Sequence, residues 1–201
     1  MKRWPAEKNH LAVQPWTTAY REKIKKLCET TTFANAHRVE AWKKSVERAA
    51  GYRELGMLKE AGQEIAQLPV ADQERMEVLC ERMDLSIAAK EWEQAIKHGK
   101  KIVQRQPGLH LAWVNLALAV REARSVETAW TILQEGERAC PGHPHILFSM
   151  ACCASQMEIF KTALRLLEEA IKGDDQFRVT ALRTSDLKPL WDHLKEPEDE
   201  Y

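Results

Sequence analysis

The chain has 201 residues, and its 30 Lys and Arg balance 30 Asp and Glu, so its formal net charge at pH 7 is zero. A protein without net charge has no overall field that would attract nucleic acid or an anionic membrane. No stretch reaches the ~20 apolar residues of a membrane span, and residues 1–16 lack the apolar core of a secretory signal. The five cysteines are odd in number and lack metal or redox spacing, which favours reduced thiols in a cytoplasm.

Segment 1–41 is predicted to be an N-terminal extension that contains a capping helix. Pro15 is followed by apolar residues about four apart as far as Leu27, which is the pattern of an amphipathic helix of about four turns. This helix either caps the helices that follow or folds back against them, and the sequence leaves both arrangements open. The next helix is expected to begin near Asn35 and to run through Trp42 and Ala49.

A constant spacing of 34 residues governs the middle of the chain. It separates four alanines, and an apolar residue precedes each of them by three positions: Ala61, Ala95, Ala129 and Ala163, after Leu58, Trp92, Val126 and Phe160. A fixed period of this length is typical of helix-turn-helix repeats, which cannot bury their apolar faces alone and therefore stack on their neighbours. Pro107 and Pro141 recur where the second helix of a repeat should end, because proline lacks the amide donor that a helix needs.

Residues 42–177 are therefore predicted to form four copies, at 42–75, 76–109, 110–143 and 144–177. The third copy carries Trp113, Leu116, Ala117, Ala129 and Pro141. In their order and spacing these residues resemble the tetratricopeptide repeat family. The resemblance implies an all-α fold, a right-handed α-α superhelix of about four tetratricopeptide repeats with helical caps at both ends.

Segment 178–201 is predicted to be a C-terminal capping helix followed by an acidic tail. The helix is expected to begin near Ser185 or Asp186 and to end near Leu194, and residues 196–201 form the tail. A terminal cap has to cover the last repeat with an apolar face and to offer water a polar one. The apolar residues of this segment are therefore expected to contact the fourth repeat.

The resemblance also implies where a partner protein would bind, because the first helix of each repeat lines a concave face in this family. The repeat register places Arg53 and Asp84 on this face, together with eight candidate partner-binding residues: Leu111, Val114, Asn115, Leu118, Arg121, His145, Phe148 and Cys152. Most of the eight are apolar, and an exposed apolar patch usually marks a partner site. The alternative is that a terminal helix of the same chain, or a second subunit, covers them. In the family, an Asn at the place of Asn115 commonly contacts the backbone of a bound peptide.

No catalytic, cofactor or metal site is predicted. Cys140, His143 and His145 bring thiol and imidazole ligands into one turn, but three candidates do not make a closed tetrahedral site. The other histidines, His110 among them, stand singly in the sequence. The sequence contains no Gly-rich phosphate loop, nucleophile elbow or paired His-Glu helix motif.

The predicted function is that of a non-catalytic, cytoplasmic adaptor or scaffold that binds a peptide or helix of a partner protein in its concave groove. Two alternatives stay open. One is a secretion-type chaperone for an apolar client segment, and the other is a regulatory or docking domain associated with an enzyme. A homodimer through the groove or the termini is a further option, and neither nucleic acid nor a membrane is expected as a partner.

Overall fold

The computed structural model describes residues 36–194, with side chains from Trp42 onward. This part of the chain is helical and contains no strand. Its elements are α1 (Ala36–Glu54), α2 (Leu58–Ala66), α3 (Met76–Ala88), α4 (Trp92–Arg105), α5 (His110–Ala123), α6 (Val126–Ala139), α7 (Pro144–Gln156), α8 (Phe160–Gly173), α9 (Gln176–Ala181), a 3₁₀ segment (Ser185–Leu190) and α10 (Trp191–Leu194). The predicted helix that ends near Leu27 and the predicted acidic tail lie outside the described residues.

The first eight helices form four pairs that stack in chain order. Helices α1 and α2, α3 and α4, α5 and α6, and α7 and α8 pack as pairs, and each pair also contacts the next. Contacts of this kind between neighbouring pairs build a helical-repeat superhelix, so the predicted fold class is confirmed. None of the described helices combines the length and the apolar composition that crossing a membrane would require.

The alanine period has a packing reason. The second helices of the four pairs begin at Leu58, Trp92, Val126 and Phe160, and all four alanines, Ala61, Ala95, Ala129 and Ala163, are completely buried. A methyl group at this position lets the two helices of a pair approach closely, whereas a larger side chain would hold their axes apart. The same requirement in every repeat produces the constant spacing.

The ends of the second helices follow the prolines in two repeats and differ in the first. Helices α4 and α6 end two residues before Pro107 and Pro141, as predicted. Helix α2 is shorter and ends at Ala66, because Pro69 follows it. The side-chain Nε2 of Gln73 donates to the carbonyl of Leu68 at 3.0 Å beyond this end.

The C-terminal segment differs from the single helix that the sequence predicted. Its connector forms the short helix α9, and the region expected to be one helix from Ser185 is a 3₁₀ segment followed by α10. Pro189 lies inside the 3₁₀ segment, where its missing amide interrupts the α-helical bonding pattern. The indole of Trp191 donates to the carbonyl of Ala181 at 2.9 Å and ties α10 back to α9.

Candidate partner-binding face

Helices α1, α3, α5 and α7 are the first helices of their pairs. All eight predicted binding residues lie on two of them, α5 and α7. Four of the eight are buried, with exposed fractions of 4% or less: Leu111, Asn115, Phe148 and Cys152. The other four, Val114, Leu118, Arg121 and His145, are half-buried. Leu111, Phe148 and Cys152 are therefore not part of an exposed apolar surface, and partner binding by the eight residues stays a prediction.

The C-terminal segment of the same chain covers part of this face, which was the alternative that the sequence left open. The 3₁₀ segment packs against α7, and the ring of Phe148 lies 4.8 Å from the ring of Phe177 in α9. Leu187 and Leu190 of the 3₁₀ segment are almost completely buried. Phe148 is thus covered by the C-terminal segment of the same chain.

Arg121 fastens this segment to α5. Its guanidinium lies 3.1 Å from the carboxylate of Asp186 in the 3₁₀ segment and 3.0 Å from that of Glu122. The side chains of Arg121 and Asp186 are 8% and 10% exposed, so water screens the pair only weakly. Arg121 therefore anchors the covering segment.

The two cysteines of α7 are protected thiols. Burial raises the pKa of Cys153 to about 12, against a smaller opposing effect of Arg121. Burial also raises the pKa of Cys152 well above its ordinary value. The thiolate is the reactive and metal-binding form of cysteine, and burial disfavours it at both residues. Cys152 therefore acts as a small packing residue.

A buried polar network occupies the same face in the earlier repeats. The Nε of Arg53 in α1 donates to Glu81 at 2.8 Å, and its Nη2 lies 3.8 Å from Asp84. The amide of Asn115 in α5 donates to Asp84 at 3.3 Å. Burial opposes the charge of Arg53, but its hydrogen bond to Glu81 and the charges of both carboxylates outweigh this effect and raise the pKa of Arg53. Asn115 therefore links two repeats instead of standing free for a peptide backbone.

Sequence reasoning placed Arg53 and Asp84 on this face but missed their pairing. The repeat register says which helix face a residue occupies, whereas an ion pair also requires the two side chains to reach the same point across neighbouring helices. The pairing could have been predicted from the charges, because adjacent first helices carry a basic residue, Arg53, and two acidic ones, Glu81 and Asp84. Charges this well buried are almost always paired.

A small pocket remains between the polar network and the covered region. It has a volume of ≈ 40 Å³ and is partly open to solvent, which is room for a few water molecules or a short apolar group. Four of the predicted residues, Val114, Asn115, Leu118 and Arg121, line it, together with Ala117, Leu133, Ser149 and Cys153. The structure thus brings half of the predicted set together, whereas Leu111, Phe148 and Cys152 lie beside the pocket within the packed core.

His145 lies outside the pocket, among other aromatic rings. Its ring lies 5.3 Å from that of His110 and 5.5 Å from that of His143, and it meets Phe177 edge-on at 5.0 Å. Burial lowers the pKa of His145, against a smaller opposing effect of Asp174. The three histidines are the described residues that could hold a metal ion.

The sequence matches one protein family across the region that contains this face. The family model described as coatomer epsilon subunit matches residues 72–182, more than half of the chain. The chain belongs to the coatomer epsilon subunit family. Within this member of the family, the match runs from the turn before α3 to the residue after α9 and includes the pocket.

Solved structures with a similar fold include three forms of MamA. A MamA RS-1 double mutant has a TM-score of 0.58 at 13% identity, and the match covers 78% of this chain and 85% of that protein. MamA MSR-1 has a TM-score of 0.55 at 14% identity, with 79% and 88% covered. MamA AMB-1 has a TM-score of 0.55 at 13% identity, with 83% and 94% covered. At these identities the likeness shows the fold alone, and the comparison with curated proteins gave no match.

Proposed function

We propose that this chain is a non-catalytic, cytoplasmic scaffold that binds a short helix or peptide of a partner protein on its concave face. Its family is named for a subunit of a larger assembly, and a subunit acts through contacts with other proteins. Cys152 and Cys153 are free thiols, which is compatible with a reducing compartment.

One observation carries the proposal. The 3₁₀ segment packs against α7, and its Leu187 and Leu190 are buried at i and i+3 spacing. This is the anchor spacing by which amphipathic helices dock into apolar grooves. A partner helix would either extend along the pocket beside this segment or take its place.

The test uses a variant in the pocket and a matched variant outside it. Leu118→Glu places a charge among the half-buried pocket residues, whereas Val179→Glu places one on α9 at a side chain that is 53% exposed. We expect Leu118→Glu to lower the amount of partner protein recovered by affinity capture about tenfold or more, because binding energy concentrates in a few buried anchors. Val179→Glu should leave the recovered amount unchanged.

Folding has to be checked for both variants by circular dichroism and melting temperature. If both are folded and Leu118→Glu recovers the same proteins as wild type, the concave face is not the binding site. Phe148→Glu is unsuitable for this test, because Phe148 is 4% exposed and a charge there would disrupt the core. Size-exclusion chromatography with light scattering on the same samples tests the proposed option of a homodimer.

A further inference from the structure

The repeat geometry brings together three histidines that are far apart in the sequence. His110 is the first residue of α5, His143 directly precedes α7, and His145 is the second residue of α7. Because α5 and α7 occupy equivalent places in consecutive repeats and pack side by side, their N-terminal ends meet. One ligand atom from each histidine can be chosen so that all three lie within 4.8 Å of one another.

The arrangement of the rings suits metal binding better than the sequence suggested. The rings of His110 and His143 are stacked with centroids 3.5 Å apart and planes inclined by 17°. Ligand atoms on a tetrahedral zinc ion are about 3.4 Å apart, given Zn–N bonds of about 2.0–2.1 Å. The ligand atoms of the three histidines lie within 4.8 Å of one another, and rotation of the rings about their side-chain bonds can bring these atoms to that separation and turn their lone pairs toward one ion.

The third ring, that of His145, carries an unpaired nitrogen. Its Nδ1 is buried and has no hydrogen-bond partner, although buried polar atoms normally have one. A metal ion coordinated by the lone pair of this nitrogen would give it the partner that it lacks.

The local charges allow a cation. The carboxylate of Asp174 acts on His145 in the direction that favours positive charge. The N-terminal ends of α5 and α7 act in the opposite direction, but each helix dipole weakens cation binding by only about two- to fivefold. Three imidazole ligands contribute far more than this.

We propose that His110, His143 and His145 bind one divalent transition-metal ion, with Zn²⁺ as the reference ion, at the junction of the third and fourth repeats. The three histidines leave a fourth position for water, as in zinc sites with three protein ligands. The sequence predicted no metal here, because Cys140, His143 and His145 are neighbours in one turn whereas His110 stands alone in the sequence. The thiol of Cys140 instead points to the carbonyl of Pro107 at 3.4 Å. This inference is independent of the proposed scaffold function.

Isothermal titration of the full chain with Zn²⁺ tests the proposal, with Mg²⁺ as the ion that imidazole ligands should not bind. We expect one Zn²⁺ per chain with a dissociation constant in the micromolar range or below. Each of His110→Gln, His143→Gln and His145→Gln should weaken binding by at least about tenfold, because each removes one ligand. His98→Gln and Cys140→Ser should leave the affinity within about twofold.

A second measurement separates this site from incidental binding. Co²⁺ bound by three histidines and water should give visible absorption bands of a tetrahedral ion, and His110→Gln should abolish them. The proposal is overturned if Zn²⁺ binds no tighter than about 100 μM, if the three histidine variants bind like wild type, or if Cys140→Ser removes binding that His110→Gln leaves intact. Melting curves without metal confirm that each variant is folded.

Discussion

At the scale of single residues, Gly136 shows how tightly the pairs are packed. A Cβ atom at Gly136 would lie 2.8 Å from the Cβ of Trp113 and 2.9 Å from its Cγ. The indole cannot move away freely, because its Nε1 donates to the carbonyl of Pro107 at 2.7 Å. We predict that Gly136→Ala lowers the free energy of unfolding by about 1–3 kcal/mol through overpacking, as measured by urea denaturation.

Gly51 provides the matched control, since the same substitution there should have the opposite sign. It lies within α1, and a Cβ atom at this position would meet nothing within 4 Å. Gly51→Ala should stabilise the protein by about 0.5–1 kcal/mol, because alanine loses less backbone entropy in a helix than glycine does. Equal effects of the two substitutions would show that Trp113 does not constrain Gly136.

His98 predicts a dependence of stability on pH. Burial lowers its pKa from 6.5 to about 4, and Arg82, Lys97 and Lys101 add to this effect, while Glu74 opposes it. Between pH 6.5 and pH 4 the unfolded chain therefore binds a proton at His98 that the folded chain does not, so stability falls as the pH falls through this range. Above pH 6.5 both states are neutral at His98 and the effect disappears.

His98→Gln removes this contribution. We expect wild type to lose about 1–2 kcal/mol more than the variant between pH 7.5 and pH 4.5, a value reduced for the partial exposure of the ring. Urea denaturation of both proteins at the two pH values measures it, and carboxylates that titrate in the same range contribute equally to both. Identical losses would mean that His98 keeps an ordinary pKa in the folded protein.

At the scale of elements, the covering segment depends on one well-buried ion pair. Asp186→Asn leaves the guanidinium of Arg121 without its partner in the 3₁₀ segment, and breaking a buried pair is costly because one charge stays desolvated. We predict that amide hydrogen exchange becomes faster throughout residues 176–194, while α3 and α4 keep their protection. The stability of the whole chain should fall by about 1–3 kcal/mol.

Arg165→Gln is the control for this prediction, because its pair with Glu169 is exposed, with 60% and 43% of the side chains accessible. Such pairs contribute about 0.5 kcal/mol or less, so exchange in α8 and stability should change little. If Asp186→Asn behaves like this control, apolar contacts alone hold the segment on the concave face.

The elements also show what the sequence could and could not predict. The alanine period located the second helices because each repeat meets the same packing requirement, and Pro107 and Pro141 located two helix ends. The period carries no information about what lies against the concave face, so the burial of Phe148 could not be read from it. The meeting of His110 with His143 was hidden for a related reason, since it depends on the stacking of repeats and not on local spacing.

At the scale of the whole molecule, the buried apolar residues of the described region, 36–194, form two clusters instead of one core. The smaller cluster contains Trp42, Ala49, Ala61, Ile65 and Leu68, together with Val78 of α3. The larger one extends from Met76 in α3 to Leu194 in α10. The match to the coatomer epsilon subunit family begins at residue 72, close to the boundary between the two clusters. In a stack of repeats, each unit is stabilised only by its neighbours. Among the described residues, the pair of α1 and α2 has a neighbouring pair on one side only.

This division predicts that α1 and α2 can open without unfolding the rest. Ile65 and Leu133 are 2% and 1% exposed, one in each cluster, and replacing either with alanine removes about 2–5 kcal/mol of local stability. Ile65→Ala should therefore accelerate hydrogen exchange in α1 and α2 alone, whereas Leu133→Ala should accelerate it from α3 to α8. Exchange measured by mass spectrometry, helix by helix, distinguishes the two patterns. Uniform acceleration by Ile65→Ala would contradict the division, because it would mean that the two clusters unfold as one cooperative unit.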